Sequence, residues 1–576
     1  MRERPVSASI NRLWKRYPAI ARVAPVIWLL AIAGVVLVWN VGAIGLIDET
    51  EPLFVEAARQ MNSTSDWITP YFNNETRFDK PPLIYWLMVA AFKLFGVSEW
   101  SARLPSVLSA LALTLILFYT VRRVGSGQTE HLKFSPFLTP WLAATMLLLN
   151  PNTFFWGRTG YSDMLLNACI GGSLLTFFLG YAQSENRRVQ QRWYLTFYVL
   201  IALAVLTKGP IGILLPGLII GSFLLYIGNG GAVLREMQLV WGAGLVAVLS
   251  VPWYVLVTLA NGEAFINSFF GYHNVERFAT VVNRHAGPWY FHILVILVGF
   301  LPWSVYLPAA IARLKPLQRR QWQTQPRAQQ LGIFALCWFG CILGFFTIAT
   351  TKYFSYTLPL MPAAAILVAL LWTDYLTHSE RGWGFVLTAA FNVALLAALA
   401  AAIVYSPQWL GDDPWMPNLG ARLQASGLPV LGGVIWGAAA IAAIVALLRR
   451  SRWLWLVNLL GFLAFLIVVM HPMVLIADAE RQLPLRQIAQ TATQVERPGE
   501  PLIMVGFKKP SLVFYTQRSV TYLPHPADAR TYLQSAARSS VLLVAGEKTF
   551  AEIGLAPAQY QTIKQETVYR LVRVLP

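Results

Sequence analysis

Apolar runs of about 20 residues, the length a helix needs to cross a hydrocarbon core about 30 Å thick, recur along the chain from near residue 24 to near residue 476. They fall at 24–47, 103–121, 137–156, 164–182, 194–207, 210–228, 238–260, 288–311, 330–350, 354–373, 384–405, 429–448 and 453–476, and predict about thirteen membrane-spanning helices. The run from Pro81 to Gly96 is different. It is shorter and interrupted by Lys93, which predicts a segment lying at or dipping into the membrane interface. The competing fourteen-span pattern, in which this run crosses, forces the basic loop after Arg122 to the opposite side from the other basic loops. Beyond Asp478 the pattern changes. A helix is predicted from Leu485 to Val495, with short buried strands at Leu502 to Val505 and Ser540 to Ala545, and a loosely alternating stretch at 567–574. The chain therefore divides into a mainly α, polytopic membrane domain at 1–477, with a long first external loop at 48–101, and a small α/β domain at 478–576.

Charge fixes which way the helices face. Basic clusters occur in the N-terminal stretch, between Arg122 and Lys133, at Arg187, Arg188 and Arg192, from Arg313 to Arg327, and at Arg449, Arg450 and Arg452. Placing all of them in the cytoplasm satisfies the positive-inside rule and leaves the C-terminal domain outside. The first apolar run has no small-residue cleavage site after it, so it is read as a retained span and not as a signal peptide. With 56% hydrophobic and 12% charged residues the chain lies outside the range of soluble domains. The net charge of +18 belongs to cytoplasmic loops and excludes a nucleic-acid partner as its simplest reading. Cys169, Cys337 and Cys341 all sit in apolar runs, as small core residues do.

The ionisable residues near the other membrane boundary gather on the external side. They are Asp48, Glu49 and Glu51 after the first span; Arg77, Asp79 and Lys80; Arg158 and Asp163; Lys208; His273, Glu276, Arg277 and His285; and Lys352. Snorkelling at helix ends explains any one of them, but the positive-inside rule predicts the opposite side for the set. Cations with a few carboxylates beside an interfacial segment suit a substrate that is both phosphorylated and lipidic. No Walker A loop, strand-borne GxGxxG, HExxH or CxxC pair is present, so a soluble nucleotide donor has no recognisable site.

The same residues carry a resemblance. Asp48-Glu49-Thr50, Ala58-Arg59-Gln60-Met61, Asp66-Trp67-Ile68-Thr69-Pro70 and Phe78-Asp79-Lys80-Pro81-Pro82 come first. Ala102-Arg103-Leu104-Pro105-Ser106, Asp163, Lys208-Gly209-Pro210, the HNVERF stretch, His285 before Gly287-Pro288-Trp289-Tyr290, Gly299-Phe300-Leu301-Pro302-Trp303 and Lys352 in TKYFSYTLPLMP follow. In this order they resemble the GT-C glycosyltransferases, in the branch of the protein O-mannosyltransferases and the lipid A aminoarabinose transferases. The resemblance implies a GT-C helical bundle with juxtamembrane helices in the first external loop and a periplasmic C-terminal domain. It implies catalytic roles for Asp48, Glu49 and Asp163, and donor phosphate contacts from Lys80, Arg77, Lys208, Arg277 and Lys352. It implies substrate contacts from Asp79, Tyr85, Arg158, His273, His285, Tyr353 and Tyr356. Plainer readings stand beside some of these: Asp163 as a helix N-terminal acid, the histidines as polar packing, Tyr353 and Tyr356 as interfacial belt aromatics.

The expected activity is transfer of a sugar from a polyprenyl (undecaprenyl) phosphate carrier to a periplasmic-side acceptor at the bacterial inner membrane. Within it, 4-amino-4-deoxy-L-arabinose onto a lipid A phosphate leads, with protein or glycan O-mannosyl transfer as the alternative. The aminoarabinose enzymes follow the first motif with Arg-Tyr where this chain has Glu51-Pro52-Leu53-Phe54, which leaves sugar and acceptor open. A lipid-linked sugar flippase is the reading from another class, but it calls for broken helices with polar groups near the bilayer midplane, repeated in the two halves. A non-catalytic receptor or assembly subunit is a third. No cofactor is required by the sequence; a divalent metal ion is left open, with no diagnostic ligand spacing.

Overall fold

The computed structural model describes residues 18–125, 137–269, 271, 286–377, 383–411, 413–449, 453–535 and 540–575. The N-terminal basic stretch before residue 18, most of the loop from Arg122 to Lys133 and the turn at Arg450 and Arg452 lie outside them. Among the described residues nine helices are long and apolar enough to cross a membrane. A tenth span arises if the pair Phe291–Gly299 and Ser304–Arg313, bent by 117°, counts as one. The remaining runs expected to span form shorter apolar helices, Val23–Val38, Leu138–Leu148 and Ile211–Ile227. Leu83–Phe95, 13 residues long, reaches only about 20 Å as a helix, too short to cross.

The bundle is built around Asp163–Ala182, an almost wholly buried helix that packs on Glu99–Gly125 and Arg187–Lys208. The peripheral helices Leu239–Asn261 and Trp383–Trp409 instead turn large apolar side chains outward, among them Val240, Trp241, Leu259 and Trp383. An outer face of this kind is stable only against hydrocarbon. The chain is a multi-pass membrane protein.

Contacts orient the two ends. At one end lie Asp163, where the central helix starts, and Lys208, where Arg187–Lys208 finishes. At the other end Arg327 pairs with Glu236 at 2.7 Å and donates to the carbonyl of Tyr181, near the finish of the central helix. Arg313 pairs with Asp374 late in the helix Met361–Thr377, so the bent pair also runs from the first end, where Phe291 meets Phe354, to the second.

The first loop supplies the helix Glu51–Thr64, which packs against Leu83–Phe95, and a two-stranded hairpin of β1 (Tyr71–Phe72) and β2 (Glu75–Thr76). The C-terminal part carries β3 (Leu502–Val505), β4 (Val520–Leu523), β5 (Val541–Gly546), β6 (Tyr560–Glu566) and β7 (Tyr569–Val574) in the order β4-β3-β5-β7-β6. β4, β3 and β5 run parallel, joined through the helices Ser511–Thr516 and Pro526–Ser535; β7 and β6 close the sheet antiparallel. The residues of β3 are all buried, so the strand reads as a continuous apolar run covered on both faces. The hairpin meets this sheet through Asn73, whose side chain exchanges bonds of 2.9 and 2.8 Å with the backbone of Val520.

Candidate active site

Two clusters occupy the end marked by Asp163. The first is a cavity of about 120 Å³. Its polar wall is made by Asp79, Lys80, Asp163 and Lys208, its apolar wall by Phe269, Phe346 and neighbouring side chains. Helix ends deliver the charges: Asp163 opens one helix and Lys208 closes another just before Gly209, whose φ of +80° turns the chain into Ile211–Ile227. The Lys208 ammonium donates to Asp163 Oδ1 at 2.8 Å. Lys80 lies within electrostatic reach of the same carboxylate and donates to the carbonyl of Asp79 at 2.6 Å. Arg77 pairs with Asp79 and lies over the Phe54 ring at 5.3 Å from its centroid. Tyr85 is fully buried within reach of Arg77 and Asp79. Tyr356 lines the cavity, stacked on Phe346 at 4.5 Å, with Tyr353 at 6.0 Å beyond it.

The second cluster surrounds Asp48. Ser511 engages both of its oxygens: the backbone N–H donates to Oδ1 at 3.1 Å and the hydroxyl donates to Oδ2. Glu49 is exposed, with Lys509 at 3.4 Å. Burial of the Asp48 carboxyl pushes its pKa up to about 6, against the opposing pull of the Ser511 bonds and the Lys509 charge; Glu49 adds to the rise. Between the clusters stands Tyr161, within electrostatic reach of both Asp163 and Asp48.

Beneath Asp48 lies a buried ion pair. Arg103 donates from Nε and Nη2 to Glu51 at 2.8 Å each, and to the carbonyls of Val41, Ile44 and Gly45 at 2.7, 3.0 and 2.8 Å. Glu51 also accepts from the backbone N–H groups of Ile47 and Gly160 at 2.7 and 2.6 Å. A side chain at position 160 would bring its Cβ to 3.2 Å from Glu51 Oε1, so glycine lets the backbone come this close.

Other expected site residues are placed differently. Lys352 is buried, and its ammonium donates to the carbonyls of Thr347 and Ala349 at 2.6 and 2.7 Å, closing the helix Leu331–Ile348. A cation there is favoured by the unpaired carbonyls of a helix C-terminus. Arg158 donates to the carbonyl of Val36 at 3.0 Å and lies over Phe154. His273, Glu276, Arg277 and His285 lie outside the described residues. Among the described residues no group of three or more His, Cys, Asp or Glu side chains could hold a metal ion. Ser511 and Lys509 were not marked by any motif; the only trace was the basic Lys508-Lys509-Pro510-Ser511 run in an otherwise separate domain.

Residues 79–255 match the family of dolichyl-phosphate-mannose-protein mannosyltransferases, and residues 495–575 match the C-terminal domain of cyanobacterial RgtA-type glycosyltransferases. The undecaprenyl phosphate-alpha-4-amino-4-deoxy-L-arabinose arabinosyl transferase of Shewanella sediminis is 27% identical over 352 residues, 61% of this chain and 60% of its own length. An uncharacterized protein of Aquifex aeolicus is 30% identical over 345 residues, 59% of this chain and 70% of its own. The crystal structure of ArnT from Cupriavidus metallidurans bound to undecaprenyl phosphate superposes with a TM-score of 0.79 at 22% identity, covering 96% of this chain and 98% of that one. The last likeness is one of fold.

Proposed function

The chain belongs to the GT-C glycosyltransferases, in the superfamily of the protein mannosyltransferases and ArnT, and from that premise we propose that it moves a sugar from undecaprenyl phosphate to an acceptor on the periplasmic side of a bacterial inner membrane. The observation that carries this reading is the two-faced cavity, with Lys80 and Lys208 on one wall and aromatic side chains on the other. A phosphate needs the first and the start of an isoprenoid chain needs the second. The sugar is 4-amino-4-deoxy-L-arabinose, the sugar in the name of the Shewanella sediminis relative, and the acceptor is a lipid A phosphate.

In this reaction the acceptor oxygen attacks the anomeric carbon as the bond to the carrier phosphate breaks, with inversion. The departing phosphate gains charge, and the Lys80 and Lys208 ammonium groups stabilise it where it forms. Asp163 holds Lys208 in place. Asp48 acts as an anion: with a hydroxyl acceptor it takes the proton, and with an acceptor phosphate, already anionic, it stabilises positive charge developing on the sugar. The C-terminal domain faces the periplasm, and 1–477 and 478–576 are the two domains.

The test is incubation of the purified chain with labelled undecaprenyl-phosphate aminoarabinose and lipid A, followed by mass spectrometry of the lipid. A mass increase of one aminoarabinose, absent in Asp48→Asn, is the expected result. No product from this donor with lipid A would overturn the assignment of substrates, and labelling of envelope proteins or glycans by a carrier-linked mannose would install the mannosyl reading in its place.

A further inference from the structure

Besides the Arg103 and Glu51 bonds, the segment carrying Asp48 is tied to the far end of the chain. The N–H of Gly45 donates to Asp478 at 2.7 Å and the N–H of Leu46 to the Tyr515 hydroxyl at 2.9 Å. Tyr515 in turn donates to Glu99 at 3.0 Å, which Arg486 pairs at 3.2 Å. Asp48 is held by Ser511 and Glu49 lies beside Lys509. From residue 45 to residue 49 only Ile47 lacks such a tie; its N–H goes to Glu51.

We infer that Ser511 of the C-terminal domain is a positioning residue for the reaction, orienting the Asp48 carboxylate through its hydroxyl and backbone N–H. The inference rests on the reading of Asp48 given above. A carboxylate on an external loop is free to rotate, and two donors from one residue, one to each oxygen, fix its plane while leaving each oxygen a lone pair for the substrate. The same bonds favour the charged form, the form the reaction uses, against burial. Among the described residues the other groups facing Asp48 are Glu49, Lys509, and the hydroxyls of Tyr161, Tyr522 and Tyr569. Among them Lys509 is the only cation, and it is divided between Glu49 and the Trp415 ring at 4.8 Å.

The experiment compares the full-length parent, Ser511→Ala, Ser511→Thr and Asp48→Asn in detergent. The protonated-carboxyl infrared band that vanishes in Asp48→Asn is titrated in each of the others. Loss of the hydroxyl bond raises the midpoint in Ser511→Ala by about one pH unit, a scale set by a charge-assisted hydrogen bond, and threonine keeps it at the parent value. The acid limb of the turnover profile moves by the same amount, with kcat lowered about tenfold and the KM for undecaprenyl-phosphate aminoarabinose held. An unmoved infrared midpoint in Ser511→Ala overturns the inference. If the parent itself fails to modify lipid A, the proposed substrates fail while the infrared titration still decides the role of Ser511. Should the alanine variant not fold, Ser511→Cys, similar in shape but a weak donor, carries the same comparison.

Discussion

Glu51 and Arg103 form an ion pair, with both side chains at 0% exposure, in which all five guanidinium N–H groups have acceptors. The pair ties the first loop, the start of Glu99–Gly125 and Gly160 into one block beneath Asp48. Truncating one partner strands the other charge in a dry site. Arg103→Met is expected to cost about 3–5 kcal/mol, read as a lowered thermal midpoint in detergent; a midpoint equal to the parent's would show the pair to be dispensable.

The pH dependence of turnover follows from Asp48. Its pKa near 6 places the anion in the majority only above that pH, so the rate rises through pH 6 and levels off beyond it. For stability the sign is reversed. The folded state holds this proton between the ordinary value of 3.8 and about 6, where the unfolded chain does not, so this group's contribution is full below that window and lost as pH rises through it. Asp48→Asn should remove both the activity and the acid limb without lowering the melting temperature. Near-parental turnover in that variant would take Asp48 out of the chemistry.

Lys80→Ala and Lys208→Ala both remove a cation from the wall of the cavity. Each is expected to weaken use of the carrier by about ten- to a hundredfold, the range of one charge-assisted bond. Titrating the rate against undecaprenyl-phosphate aminoarabinose measures it, and an unchanged KM and kcat would place the phosphate elsewhere.

Lys352 gives the contrasting outcome. Its bonds to the carbonyls of Thr347 and Ala349 predict that Lys352→Met lowers stability by about 1–3 kcal/mol and leaves the carrier titration close to the parent. A large rise in KM at unchanged stability would return this lysine to the phosphate.

Apolar run length marked the helices that pack as the bundle, and Leu83–Phe95 was separated from the spans by its shortness, by Lys93 and by the side on which the basic loop after Arg122 has to lie. Sidedness of charge also brought out Asp79, Lys80, Asp163 and Lys208, which meet in one cavity because each stands at a helix start or finish, or in a loop, at the same end. Lys352 shares that signature, yet its ammonium turns back onto its own helix end, a choice made by side-chain geometry that hydropathy does not encode. The pairing of Glu51 with Arg103 was equally hidden: one stood out as a departure from the Arg-Tyr motif, the other sat in an Ala-Arg-Leu-Pro-Ser motif 52 positions on. The Ser511 contact spans 463 positions and joins two domains whose patterns are read separately, so no local periodicity could disclose it.

That long tie sets an order of events during synthesis. A nascent chain exposes Asp48 early, while the Ser511 that grips it has yet to be translated. Until the last stretch is made, the early acid has no jaw to close on it. A chain abandoned part-way through translation therefore holds Asp48 without either of the two donors that Ser511 supplies to its oxygens.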